Sequence, residues 1–173
     1  MHDPECAAPW TMKQQTDKPA LYDELARALD ALLTGETDAV ANAANAAAAI
    51  YHALPSLNWA GFYFVHGEEL VLGPFQGRPA CVRIPLGTGV CGTAALRRQP
   101  VLVPDVAAFP GHIACDTASR SELVAPLFAN GRLLGVLDLD SPELGRFDAA
   151  DQAGCEMLAD IVARHLRADV IAS

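Results

Sequence analysis

The sequence predicts an α+β domain, a mainly antiparallel sheet with its terminal helices packed on one face and the other face left for a ligand. Amphipathic helical patterns stand near the start, in "DKPALYDELARALDALLTGE" and "AVANAANAAAAIYHAL", and at the end, in "FDAADQAGCEMLADIVARHL". Between them run strand-like pairs, the clearest being "ELVAPLFANGRLLGVLDLDS", which turns at Asn130-Gly131, the strongest short-range hairpin signal. No repeat or linker divides the 173 residues, and that length suits one domain of roughly 100–200 residues.

Each element has its local reason. In the first helix Asp17 is placed to cap, Pro19 falls in the first turn, Leu21, Leu25, Leu29 and Leu32 recur at helical spacing, and Gly35 stops it. The second starts at Thr37 or Asp38, is alanine-rich enough for close packing, and ends before Pro55. "LNWAGFYFV" and "EELVLGPF" read as strands around a tight turn at His66-Gly67. "ACVRIPL" reads as a short strand carrying Cys81, and "GTGVCGTAALRRQ" as a glycine-rich turn opening a short helix with Arg97 and Arg98 at its C-terminal end. "VLVPDV" is a brief strand. Asp148 caps the last helix, whose Met157, Leu158, Ile161, Val162 and Leu166 are expected on one apolar side. Residues 1–17 lack periodicity and are expected to form a flexible N-terminal arm before a single domain over 18–173.

Composition narrows the function. Twelve basic against twenty-one acidic residues give a net charge of -9, which would repel a phosphate backbone, so nucleic acid is not expected as a partner. No apolar run has membrane-spanning length and the start lacks a secretory pattern, so a cytoplasmic protein is expected. Five cysteines at irregular spacing form no C-x-x-C pair, which leaves buried apolar thiols or redox-active ones. The five histidines are scattered, so no metal site is read from spacing. A G-x-S-x-G elbow is missing as well.

Four constellations bear chemistry. Cys81, Cys91 and Cys115 flank the glycine-rich turn and the loop "HIACD". Local electrostatics favours Cys91, at a helix start, as the thiolate; Cys115 has His112 and Arg120 as cationic help but Asp116 against it. Cys81, on a strand, and Cys155, in a helix, are placed where buried cysteines are common. "PLGTGVCG" fits neither nucleotide-binding spacing and reads as a strand-to-helix turn or as amides cupping an anion. Glu122, Asp138 and Asp140 fall in the last hairpin, the two aspartates on one strand face opposite Leu137 and Leu139. Such a group is either a solvated face or a cluster compensated by a cation or a shared proton. Trp59 and Tyr63 share a face with Gly61, as core aromatics or as walls of a gap that admits an apolar ligand.

Taken in order, "NWAGFYF", "IPLGTGVCGTAA", "HIACD", "SELVAPLF", "LLGVLDLDSP" and "FDAAD" resemble the free methionine-(R)-sulfoxide reductases, a family of stand-alone GAF domains, over about Leu21 to Leu166. The resemblance implies a GAF fold and thiol-dependent reduction of free L-methionine (R)-sulfoxide. It implies that Cys115 is the nucleophile, against the local preference for Cys91, with Cys81 as resolving cysteine and Cys91 as auxiliary thiol. Trp59 and Tyr63 would wall the thioether end of the substrate. Glu122, Asp138 and Asp140 would hold its ammonium and sulfoxide ends, with Asp140 or Glu122 donating a proton. Cys115 would pass through a sulfenic acid and a disulfide recycled by thioredoxin, with no metal, flavin or nicotinamide cofactor on the protein. A homodimer is expected. The competing readings are a sensory GAF domain that binds a small molecule without turnover, and a thiol peroxide sensor that would not need the acidic cluster.

Overall fold

Short-range chemistry starts and stops most elements where expected. The computed structural model describes residues 17–112 and 116–166, and the expected N-terminal arm falls almost wholly outside them. Helix α1 (Lys18–Leu33) begins after Asp17, with a proline in its first turn, and Asp17 makes no side-chain capping bond. Helix α2 (Ala39–Ala53) is capped by Asp38, which accepts from the Ala41 amide at 2.8 Å. Strands β1 (Trp59–His66) and β2 (Glu69–Gly77) form the first hairpin. Its turn residues are Gly67 and Glu68, one position later than expected, because His66 still pairs with Glu69 and Gly67 takes the positive φ of 62°.

Strand β3 (Arg83–Pro85) is shorter than expected and excludes Cys81. Gly77 closes β2 with φ 126°, and Pro79 has no amide to donate, so the chain leaves the sheet before it returns at Arg83. Helix α3 (Gly89–Arg97), strand β4 (Val101–Val103) and a single helical turn at Val106–Ala108 follow. Strands β5 (Ser121–Ala129) and β6 (Arg132–Ser141) turn at Asn130 and Gly131, both at positive φ (50° and 76°), the twist that a two-residue hairpin favours. Helix α4 (Ala149–His165) opens with a capping box between Asp148 and Asp151.

The six strands make one antiparallel sheet in the order β3-β2-β1-β6-β5-β4. On one face, Ala60, Phe62, Leu123, Leu137 and Leu139 are buried together with residues of α1, α2 and α4. Each fully buried leucine there contributes about 1.5–3 kcal/mol. Met157 departs from the expected apolar side of α4 and is exposed, whereas Leu158, Ile161, Val162 and Leu166 are buried. Helices α1 and α4 approach closely at Gly154, where a Cβ would stand 2.1 Å from the Tyr22 ring.

The same helices are tied by the buried carboxylate of Asp151. It receives the Tyr22 hydroxyl at 3.1 Å, Arg146 at 3.0 Å, the Asp148 amide at 3.0 Å and the ammonium of Lys18. No helix among the described residues is long and apolar enough to cross a membrane.

Candidate active site

The sheet register puts the chemistry on the face away from the three helices. Trp59 pairs with Asp140 and Asp140 with Glu122, while Gly61 pairs with Asp138. Residues directly opposite on antiparallel strands point to the same face, and alternation turns Leu137 and Leu139 to the helical core. One row therefore runs Trp59, Asp140, Glu122, with Asp138 one step along the strand. Helix α3 lies over this face and carries Cys91. Together these residues, Tyr63 and the loop 78–80 line a pocket of about 520 Å³, open mouth included.

Two of the pocket's acids are buried and Asp140 is half-buried, which overturns the solvated-face alternative: Glu122 is 6% and Asp138 5% exposed. Burial raises Glu122 above the ordinary carboxylate range, against the pull of a hydrogen bond from His112 and with the push of Asp140. Burial likewise pushes Asp138 well up, helped by the charge of Glu122, and Asp140 well up, helped by Asp138 and Asp116. Carboxyls crowded in this way resist ionisation. His112 is set against them, with Nε2 3.5 Å from Glu122 Oε2. Asp138 Oδ1 is buried with no hydrogen-bond partner.

The preference for Cys91 as thiolate fails in three dimensions. Cys91 is in the first turn of α3, but its Sγ sits 3.9 Å from Glu122 Oε1, and burial followed by the charges of Asp138 and Glu122 pushes the thiol well up. A helix terminus cannot offset two carboxylates and desolvation. Cys155 is held up in the same direction, chiefly by burial in the helical core. Cys81, expected on a strand, is half-buried in the loop between β2 and β3. The two aromatics hold that loop: the Tyr63 hydroxyl donates to the Cys81 carbonyl at 3.0 Å and Trp59 Nε1 to the Arg78 carbonyl at 3.1 Å. Cys115 lies outside the described residues.

Asp116, expected to oppose a thiolate at Cys115, is held by partners of its own. Its carboxylate accepts from the Ala118 amide at 2.9 Å and from Asn58 at 3.2 Å, with Arg78 at 3.9 Å, and these hold it below the usual range. Asn58 also donates to Ser119 at 3.0 Å, so it braces the loop that returns to β5. No sequence signal marked Asn58, Arg78 or Ser119, since each acts through a contact between distant segments.

Packing decides between two pairs of alternatives that the sequence leaves open. The gap at Gly61 is filled by protein: a Cβ there would stand 2.4 Å from that of Phe75 and 2.6 Å from the Trp59 ring, and Trp59 stacks between Phe75 at 5.3 Å and Tyr63 at 5.9 Å. The glycine-rich segment is a tight turn, with the Gly87 amide bonded to Gly92 O at 2.8 Å and the Thr88 amide to Pro85 O at 3.1 Å. Three carboxyls facing the same pocket make it hostile to an anion.

A search of protein families matches the GAF domain over residues 28–166. The chain belongs to the GAF domain family. Within it, the chain is 51% identical over 142 residues to the free methionine-R-sulfoxide reductase of Escherichia coli, covering 82% of this chain and 86% of that one. The solved free methionine-R-sulfoxide reductase of Neisseria meningitidis, in complex with its substrate, is 46% identical with a TM-score of 0.87, covering 92% of this chain and 96% of that one. A putative GAF sensor protein from Burkholderia vietnamiensis is 56% identical with a TM-score of 0.84, covering 87% and 96%. The GAF family thus includes, at close range to this chain, reductases of free methionine sulfoxide.

Proposed function

We propose that this protein reduces free L-methionine (R)-sulfoxide to methionine. The observation that carries the reading is a buried carboxyl row with an unpartnered oxygen on Asp138, set beside the Trp59 and Tyr63 rings in one pocket. Such a pocket suits a small molecule with a cationic amine at one end and a thioether at the other, and the near relatives are reductases of such a molecule.

In this reading the Cys115 thiolate attacks the sulfoxide sulfur, and Glu122 or Asp140 protonates the sulfoxide oxygen. Both acids have pKa values raised by burial, which keeps a proton available. Oxygen passes to Cys115 as a sulfenic acid; the cysteine sulfur loses two electrons, the sulfoxide sulfur gains them, and methionine leaves. The Cys81 thiol then condenses with the sulfenic acid, releasing water and forming a disulfide. A thioredoxin-type dithiol restores both thiols by exchange. Cys91, whose thiol is held protonated, serves as the auxiliary thiol. Asp138 and Asp140 hold the ammonium group, and Trp59 and Tyr63 the methyl end while they position the Cys81 loop. We place this chemistry in a homodimer in the cytoplasm, where reduced thioredoxin is at hand.

The test is a coupled assay with thioredoxin, its reductase and NADPH, offering free (R)-sulfoxide, free (S)-sulfoxide and a peptide-bound sulfoxide. Turnover of the free (R) form alone is expected. Cys115→Ser abolishes even one turnover, and Cys81→Ser releases about one methionine per protein and stalls. Ligand binding without turnover of any sulfoxide would replace this reading with the sensory one.

A further inference from the structure

We propose that Cys91, Glu122 and Asp138 form a zinc site at the floor of the pocket. One donor atom from each lies within 4.8 Å of the other two, and all three residues are buried. They come from α3, β5 and β6, so the set is held by three packed elements rather than by one loop. Asp138 adds a second sign of a ligand: the residue lines the pocket, and its Oδ1 is buried with no hydrogen-bond partner. A buried acceptor without a donor costs free energy unless something fills the role.

The donor types select the ion. A thiolate with two carboxylate oxygens is a soft-to-borderline set, which suits zinc; calcium and magnesium require six or more oxygens or retained waters. On a tetrahedral zinc, sulfur and oxygen ligands stand roughly 3.4–3.6 Å apart, so donors within 4.8 Å of one another need to close in by about 1.4 Å at most. Water would supply the fourth ligand of a tetrahedral ion. A divalent ion would also offset the mutual repulsion of the acids.

The metal claim stands on these residues alone. Under the reductase reading, Asp138 and Glu122 also hold the substrate, so zinc and methionine sulfoxide exclude each other. That second clause rests on the proposed function, and the experiment separates the two.

The probe is cobalt(II), titrated into reduced full-length protein carrying Cys6→Ser, Cys81→Ser and Cys115→Ser, followed by displacement with zinc. The expected result is one equivalent bound, with an intense near-ultraviolet thiolate-to-cobalt absorption and visible bands of a tetrahedral ion. Adding Cys91→Ser abolishes the near-ultraviolet band, and Asp138→Asn or Glu122→Gln weakens zinc binding at least as much as loss of an outer-sphere partner, about 10- to 100-fold. Circular dichroism confirms that each variant is folded, and Glu122→Gln keeps every thiol in place should Cys91→Ser not fold. A missing band in the parent variant, a band that survives Cys91→Ser, or zinc affinity unchanged by both carboxyl substitutions overturns the site. If zinc binds as described but free methionine (R)-sulfoxide does not compete with it, the site holds and the shared occupancy is refuted.

Discussion

Asp151 and Asp138 are both buried aspartates, one on each side of the sheet, and they are treated in opposite ways. Asp151, between α1 and α4, is surrounded by donors: Lys18, Arg146, the Tyr22 hydroxyl and a backbone amide. Asp138, between β6 and α3, faces Glu122 and the Cys91 thiol, and one of its oxygens has no donor. A carboxylate that is fully satisfied inside a protein belongs to the fold; one left short of donors among other acids is held there at a cost that packing does not explain. The contrast separates the part of the molecule that holds shape from the part that meets a ligand.

The largest effect is expected on the satisfied side. Asp151→Ala leaves Arg146, with 8% of its side chain exposed, as an unpaired buried cation and removes the acceptor of Tyr22. Urea unfolding should show a loss of about 3–5 kcal/mol; a loss under about 1 kcal/mol would mean that water replaces the carboxylate easily, and the contrast would be weaker than drawn.

On the unsatisfied side the same chemistry predicts the reverse pattern. Asp138→Asn removes a source of repulsion to Glu122, so the unfolding midpoint should hold or rise. The loss appears in binding, where a charge-assisted hydrogen bond worth about 1.5–3 kcal/mol raises KM for free methionine (R)-sulfoxide by roughly ten- to a hundredfold. Unfolding of this variant with unaltered KM would make Asp138 a structural residue.

The smallest effect is in pH dependence, and the two regions carry opposite signs. Asp148, beside Lys18, is held down to about 2 by the Lys18 hydrogen bond and the Asp151 amide. Its contribution is present above the ordinary aspartate range and is lost as pH falls toward 2. The pocket acids are raised, chiefly by burial: the folded state keeps protons that the unfolded chain has released, so their effect is a stability that declines as pH rises from the ordinary carboxylate range toward the raised values. Urea midpoints between pH 3 and pH 8 should therefore show a shallower decline at the upper end in Asp138→Asn, and a shallower rise at the lower end in Asp148→Ala. Equal slopes in both variants and the parent would break the comparison.

Much of the fold is legible residue by residue. Asn130-Gly131 demands a two-residue turn, Asp38 and Asp148 offer their side chains to the next amides, and Pro55 ends α2, all within a few positions of chain. The errors arise where distance matters. Cys81 reads as a strand residue because its neighbours are apolar and branched, but the ladder with β2 reaches only from Arg83 to Pro85. Cys91 reads as an activated thiol because its helix start is visible, while Glu122 and Asp138 against it come from strands far along the chain. Gly61 reads as a gap because the Cα and Cβ of Phe75 that crowd it arrive from β2.

The sequence by itself determined the element order, the caps, the turns, and which side chains of "GVLDLDS" share a face, since a period of two and a hydrogen bond to the next amide are local. It also carried the family likeness, because the motifs stand in a fixed order. Only the tertiary structure decided that Glu122 lies opposite Asp140, that α3 lowers Cys91 onto these acids, and that Asp151 is satisfied while Asp138 is not. Those facts depend on register between strands and on desolvation, and both exist only once remote segments have packed.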